Sequence, residues 1–387
     1  TPKWWVSTGG VWMPLMPRTK YQDVREYGRP NADCSYLMFF GERANGKTYS
    51  ALDMMLEDFC TKGWESVYLR RYREDITATE MKDLFEAHEK NNRILKWSNG
   101  KFSRVFFRSS RFYLANYDDK GQPILDDRPF CRVMCLTSYQ RYQGKPYPFV
   151  NHIVFDEFMT RKGYLPGEYA MFRSIVSSVF RDFRPDAHVW MLANTVNKSC
   201  PYFTEMGLNH VYDMKQGTSE IYTYGKSGLK VFVAYLESSA KTGGKQTDKF
   251  FAFDNPDVNM ITSGAWEMAV YPRLPDGYEP DRKDIVQWFF IVFEHWTIAG
   301  RIVSAKEGDY IWFTPWTSKL KDDDNVYTDK ADIRDTWRMA LTKQSDRLSI
   351  TICKMIRQNQ VFYANNETGE ALRNYLKWSQ AQSILTM

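Results

Sequence analysis

No apolar stretch in this 387-residue chain reaches the ~18 residues that a membrane-spanning helix requires, so no transmembrane segment is expected. The opening TPKWWVSTGG has no continuous apolar core and predicts no export signal; a start at Thr1 is consistent with loss of an initiator methionine. Six cysteines (34, 60, 131, 135, 200, 353) form neither CxxC pairs nor a spaced framework. That argues against a disulfide scaffold and for a reducing, cytoplasmic setting. Internal repeats and low-complexity tracts are missing too. Charge bias is weak: a net +5 and a pI near 8.7 lean only mildly towards anionic partners.

What remains is the composition of a globular protein with a sizeable core: 43% hydrophobic residues against 26% charged ones. The length favours two domains, or two plus a connector. Apolar runs ending in polar residues predict strands at residues 35–40, 64–72, 128–139, 151–158 and 187–195, with a hairpin from Lys101. Helical periodicity predicts helices over 47–59, 79–95 and 166–181. Strands alternating with helices give an α/β core with a largely parallel sheet. Residues 204–282 are punctuated by Gly and Pro and read as a connector domain, between an ATPase-like region at 1–203 and a tail at 283–387. The tail reads β-β-β-α-β-α.

The chemistry begins at FFGERANGKTYS, where Gly41-x4-Gly46-Lys47-Thr48 fits the phosphate-binding loop. Glycines let backbone N–H groups approach phosphate oxygens, and the following helix offers its positive end. The binding set is Gly41, Glu42, Arg43, Ala44, Asn45, Gly46, Lys47, Thr48 and Tyr49. Lys47 is expected to reach the β- and γ-phosphates of ATP, and the Thr48 hydroxyl to bind Mg²⁺. A second strand, IVFDEF, ends in two carboxylates. Asp156 takes the Walker-B role on Mg²⁺, and Glu157 is placed to polarise a water for attack on the γ-phosphate. The bland alternative for this pair is a solvated strand end. Guanine recognition would want Asn-Lys-x-Asp; Asn197-Lys198-Ser199-Cys200 lacks the Asp, which counts against a GTPase. Asn194, ending MLANTV, is either a sensor of the γ-phosphate or a strand-end cap. Arg181 and Arg184, in VFRDFRP, are either helix-end cations or a finger reaching a neighbouring subunit. For contact with adenine the sequence offers only Trp4, Trp5 and Tyr21, none of them singled out.

GERANGKTY, YLRRYRED, IVFDEF, PGEY…VFRDFR, LANTVN and CPYF occur in the order seen in genome-packaging ATPases of the small protein-primed podoviruses, relatives of the terminase large subunits. The chain resembles that family over about residues 35–203 and more loosely over 285–387. The resemblance implies an additional-strand (ASCE) P-loop ATPase, pentameric as a ring, docked at the portal of an empty capsid in the bacterial cytoplasm. Its implied work is to drive double-stranded DNA inward, with a packaging RNA as a further possible partner. It places Arg43 on the loop arginine, Arg181 on the trans-acting finger, Lys162 on a basic residue of the subunit interface, and Arg73 on a DNA-gripping position. The tail resembles a ribonuclease-H fold. Two-metal cleavage needs clustered carboxylates, yet VQWFFIVF carries none before Glu294, and Asp322 to Asp324 read as a solvated loop. A degenerate, non-cutting domain is the expectation; an active nuclease and a nucleotide-gated scaffold are the alternatives.

Overall fold

The computed structural model describes residues 22–237 and 271–385 except 44, 161–163, 182–183, 196–199, 226, 276, 295, 307, 330–333, 335 and 342–345, together with the backbone of 5–7 and 13–14. The chain forms two compact units. The first comprises Thr1–Thr160, Gly167–Val196 and Glu205–Trp266, and the second Arg161–Pro166, Asn197–Thr204 and Glu267–Met387.

Among its described residues the first unit contains twelve strands in one sheet. They are β1 (Trp5–Ser7), β2 (Met13–Pro14), β3 (Tyr36–Gly41), β4 (Glu65–Arg70), β5 (Arg104–Arg108), β6 (Arg111–Tyr117), β7 (Pro123–Leu125), β8 (Cys131–Cys135), β9 (Val150–Asp156), β10 (His188–Asn194), β11 (Thr218–Tyr224) and β12 (Lys230–Tyr235). The order runs β1-β11-β12-β3-β10-β9-β4-β8-β6-β5, and the six from β12 to β8 are all parallel. Parallel strands covered on both faces need unbroken apolar sequence. Leu37 to Phe40 and Ile153 to Phe155 meet that need, every side chain fully buried. Antiparallel β11 with β1, and β6 with β5, close the two ends.

Six helices of this unit matter here: α1 (Val24–Gly28), α2 (Lys47–Lys62), α3 (Ala78–Met81), α4 (Glu86–Lys90), α5 (Arg93–Trp97) and α6 (Glu168–Val179). Ala51, Met54, Met55 and Phe59 of α2 join Leu37, Phe39, Val154 and Leu192 of the sheet in one core. The single helix expected over 79–95 is instead three short ones, α3 to α5. Asn92 takes a left-handed φ of 53°, which ends one helical axis and starts another. Phe85, between α3 and α4, turns inward onto Phe112 and Phe130.

The stretch expected to be a separate connector also differs. β11 and β12 are strands of the first sheet, with Val231 to Tyr235 lying parallel to Tyr36 to Phe40 of β3. The run VFVAY has the apolar continuity of a buried strand, and β3 offers it an open edge. Residues 238–270 of that stretch lie outside the described residues.

The second unit has a six-stranded sheet: β13 (Ile285–Phe293), β14 (Trp296–Val303), β15 (Tyr310–Pro315), β16 (Val326–Thr328), β17 (Trp337–Arg338) and β18 (Val361–Tyr363), ordered β17-β16-β13-β14-β15-β18. β13 to β15 form an antiparallel meander, and β16 and β18 add in parallel to β13 and β15. Two short strands, β16 and β17, therefore precede the expected α-β-α ending. Helices Arg347–Arg357 and Asn366–Leu385 cover one face, with Ile352, Leu372 and Tyr375 packed among Phe289, Ile291 and Phe313. At the end of β13 the Glu294 N–H donates to Asp329 Oδ2 at 3.3 Å. Asp322 and Asp323 are exposed, as a solvated loop should be. Among the described residues no helix is long and apolar enough to cross a membrane. None of the described His, Cys, Asp and Glu form a group of three placed for a metal ion.

Candidate functional site

The loop from Gly41 to Lys47 joins β3 to α2 at the carboxyl end of the parallel strands. Gly46 adopts φ 95° as the residue before the helix, a left-handed conformation that favours glycine. At Gly41 a Cβ would meet the Leu236 carbonyl oxygen at 3.0 Å, so the loop and the end of β12 approach one another through a missing side chain. The first N–H groups of the sixteen-residue α2 have no partners within the helix and face the loop.

Lys47 is buried, and its Nζ donates to the Glu42 carbonyl at 2.6 Å and to Asn45 Oδ1 at 2.9 Å, with Asn194 Oδ1 at 3.4 Å. Burial pulls the ammonium down to about 7, against the opposing pull of the Asp156 and Glu42 charges. Asn45 is also buried, and its Nδ2 has no partner among the described residues. A buried cation, an unpaired amide donor and a helix N-terminus converging on one loop are the donor set of a phosphate site.

β9 lies two strands from β3, with β10 between them. This spacing brings Asp156 beneath the start of α2, where the Thr48 hydroxyl donates to its two carboxylate oxygens at 3.2 Å each. Tyr68 of β4 donates to Asp156 Oδ2 at 2.8 Å and fixes the carboxylate from behind. A hydroxyl and a carboxylate on adjoining elements are hard oxygen ligands that fit Mg²⁺. In register, Asn194 lies opposite Gly41 on β10, which sets it beside Lys47.

Glu157 follows β9 with φ 60°, in the left-handed region that a non-glycine residue rarely occupies. That conformation costs about 1 kcal/mol or more, and its surroundings must hold it. The holding group is Arg71. Its guanidinium donates to the backbone carbonyls of Glu157 (2.9 Å) and Phe158 (2.7 Å) while pairing with buried Glu168 at the start of α6 (2.9 Å). The Glu157 side chain is half exposed, and Arg70 Nη2 donates to its Oε2 at 2.7 Å. Burial lowers the Arg70 pKa, but Tyr68, Asp156 and Glu157 outweigh it and the guanidinium stays firmly charged. The quartet Tyr68, Arg70, Arg71 and Glu168 was not among the residues read from the sequence. Its signal was YLRR at the end of a strand, meaningful only once β4 is known to lie beside β9.

Of the other expected residues, Arg43 is exposed at the tip of the loop, and Tyr49 stacks on His88 with ring centroids 4.1 Å apart. Arg181 is exposed just beyond α6. Arg184 instead donates to the Val150 carbonyl at 2.5 Å. Arg73 is exposed and lines a second, polar cleft of about 470 Å³ with Arg141, Ser138 and Gln140. Ala44 and Lys162 lie outside the described residues, as do Trp4 and Tyr21; Trp5 is described only as backbone. Beside the phosphate loop runs a cleft of about 660 Å³, lined on one side by Gln22, Asp23, Arg25 and Glu26 and on the other by Tyr49, Ala87 and Asn91.

Residues 31–218, a little under half of the chain, match the family model of the podovirus DNA encapsidation protein (Gp16). The DNA packaging protein of Bacillus phage B103 is 26% identical over 172 residues, 43% of this chain and 46% of that protein. The chain thus spans under half the length of the curated relatives it matches. Two solved structures share the fold across almost the whole chain. The phi-29 genome packaging motor assembly aligns with a TM-score of 0.54 at 17% identity, covering 95% of this chain and 99% of its own. The phi-28 packaging motor protein aligns at 0.52 and 16%, covering 96% and 99%.

Proposed function

From the match of residues 31–218 to the podovirus DNA encapsidation family, we propose that this chain hydrolyses ATP to drive double-stranded DNA into a preformed capsid. The observation that carries the reading is the convergence of Lys47, Thr48 and Asp156 on one phosphate loop, with Glu157 directly after Asp156. In this reading the loop N–H groups and Lys47 bind the β- and γ-phosphates, Arg43 closes over them, and Thr48 with Asp156 holds Mg²⁺. The metal supplies charge neutralisation on the phosphate oxygens when bound. Glu157 accepts the proton of a water attacking the γ-phosphorus in line, as the bond to the departing ADP oxygen breaks. Asn194, within reach of Lys47, reports the loss of the γ-phosphate to β10.

β10 lying between the phosphate-loop strand β3 and the Asp156 strand β9 supports an additional-strand ATPase. Arg181, exposed beyond α6, serves a neighbouring subunit's γ-phosphate in a homo-oligomeric ring, which we propose is pentameric, with Lys162 at the same interface. Arg73 grips DNA phosphates without reading sequence. The antiparallel meander with β16 parallel to β13 supports a ribonuclease-H-like second unit, and we propose that it docks rather than cuts. The portal, DNA and a packaging RNA are its proposed partners. The decisive assay measures ATP turnover with and without duplex DNA while DNA length is followed on a gel. DNA-stimulated turnover with intact DNA is expected. Metal-dependent cutting would make the chain a terminase-type nuclease, and no turnover in assembled rings would leave only a nucleotide-gated scaffold.

A further inference from the structure

The cleft beside the phosphate loop has two walls of different origin, and one buried side chain joins both to α2. Asp53 lies on α2, just past the residues that line the cleft, and its side chain is completely buried. From one wall, Arg25 donates through Nη1 to Asp53 Oδ2 at 2.6 Å; the same guanidinium binds Asp23 at 2.5 Å and Glu57 at 3.0 Å. From the chain that continues the other wall, Arg93 donates to both oxygens of Asp53, through Nε at 2.8 Å and through Nη2, and Trp97 Nε1 donates to Oδ1 at 3.0 Å. Among the described residues, all hydrogen-bond partners of this carboxylate therefore come from the two walls and the chain that continues them. Burial pushes the Asp53 carboxyl up, and the Arg93 and Trp97 bonds with the Arg25 and Arg93 charges more than reverse it, so the group is ionised.

Elsewhere the first wall is also tied to α2 by charge, through Glu57 with Arg25 at 3.0 Å and Arg29 at 2.7 Å, and by the Val24 N–H to Ser50 Oγ at 3.1 Å. The second wall touches α2 elsewhere through neutral contacts, Asn91 Nδ2 to Tyr49 OH at 3.1 Å and His88 Nε2 with the Tyr49 carbonyl at 2.9 Å, so Asp53 is the charged group that both walls share. Two facts say that the gap takes a ligand. It opens directly onto Gly46, Lys47 and Thr48. Gln22, 4% exposed and in its lining, keeps a side-chain amide nitrogen with no partner among the described residues.

We propose that Asp53 is the positioning residue of the nucleotide cleft: by holding Arg25 and Arg93 on one carboxylate it sets the gap between the walls into which the nucleoside part of the nucleotide fits. This rests on the reading of the loop as a nucleotide site. Phosphate binding is local to the loop, whereas base and ribose binding depends on the width of the gap. Losing the charge should therefore separate the two. Asp53→Asn keeps the shape but weakens both arginine bonds. Arg93→Met frees only one wall and leaves the Arg25 pair in place.

The test measures binding of ATP and of inorganic tripolyphosphate, each with magnesium, to full-length wild type and both variants, well below melting temperatures read in parallel. The expected result is an ATP dissociation constant raised about tenfold in Asp53→Asn and less in Arg93→Met, with tripolyphosphate unchanged in both. Unchanged binding of both ligands with a lowered melting temperature would overturn the proposal and leave Asp53 a purely structural hub. An equal loss for both ligands would overturn it too, by placing the effect on the phosphate loop. If wild type binds neither ligand, the reading of the loop itself fails, and the inference with it.

Discussion

Lys47 carries a consequence for pH that follows from its burial. The free protein holds this ammonium near half-protonation at about 7, whereas an anionic phosphate against Nζ favours the charged form. Binding above pH 7 must then take up a proton, so ATP affinity should fall as pH rises from 7.5 to 9, by at most about tenfold per unit. Calorimetry in buffers of differing ionisation enthalpy will detect the proton uptake; its absence would mean that Lys47 is already fully charged when free. Arg70 poses the opposite problem, since a carboxylate bound to a guanidinium at 2.7 Å is a poor acceptor for a water's proton. The pair should mark a resting state that has to open. In Arg70→Ala, DNA-free turnover is expected to rise while stimulation by duplex DNA shrinks, as steady-state rates would reveal. Lys47, Thr48, Asp156 and Glu157 were legible in the sequence because each is fixed by local pattern: a glycine spacing, or the polar end of an apolar run. Arg70 and Arg71 were not, because their meaning comes from Leu69 standing opposite Phe155 across two strands far apart in the chain.

Among the elements, β4, β9 and α6 meet at one buried ion pair. Arg71 directly follows β4, Glu168 begins α6, and the backbone they brace is the left-handed turn at Glu157. Glu168→Ala would leave the Arg71 charge buried without its carboxylate, which should cost about 3–5 kcal/mol in denaturant unfolding. Turnover should also fall in native conditions, because the turn at Glu157 loses its brace. Wild-type stability in this variant would mean that the pair contributes nothing net. The broken helix over 78–97 shows the limit of periodicity at this scale. Its apolar spacing is helical throughout, but Asn92 and the inward Phe85 divide the run into pieces whose faces point differently. β11 and β12 were hidden by the glycines around them, although VFVAY has the same buried-strand character as the run that announced β3.

For the whole molecule, the trans role proposed for Arg181 makes a complementation test possible. Arg181→Ala subunits should bind ATP but not turn it over, and Glu157→Gln subunits should do likewise. Mixed in one ring, a Glu157→Gln subunit lends its arginine to a neighbour that keeps its base, so part of the activity should return. Well-mixed rings that stay inactive would argue for a finger acting within its own subunit. The order of motifs along the chain made the first unit's fold readable, but where its sheet ends was not, since that depends on which late strand finds the open edge of β3. That late strand also matters mechanically. The Leu236 N–H donates to the Phe40 carbonyl at 2.8 Å, one residue before the phosphate loop, and the Leu236 carbonyl fills the space a Gly41 side chain would need. The end of β12 is therefore in direct contact with the loop that would grip ATP, with no residue between them. Under the proposed function, a displacement of that loop on nucleotide exchange would pass straight to Leu236, as a crank throw becomes the stroke of a rod.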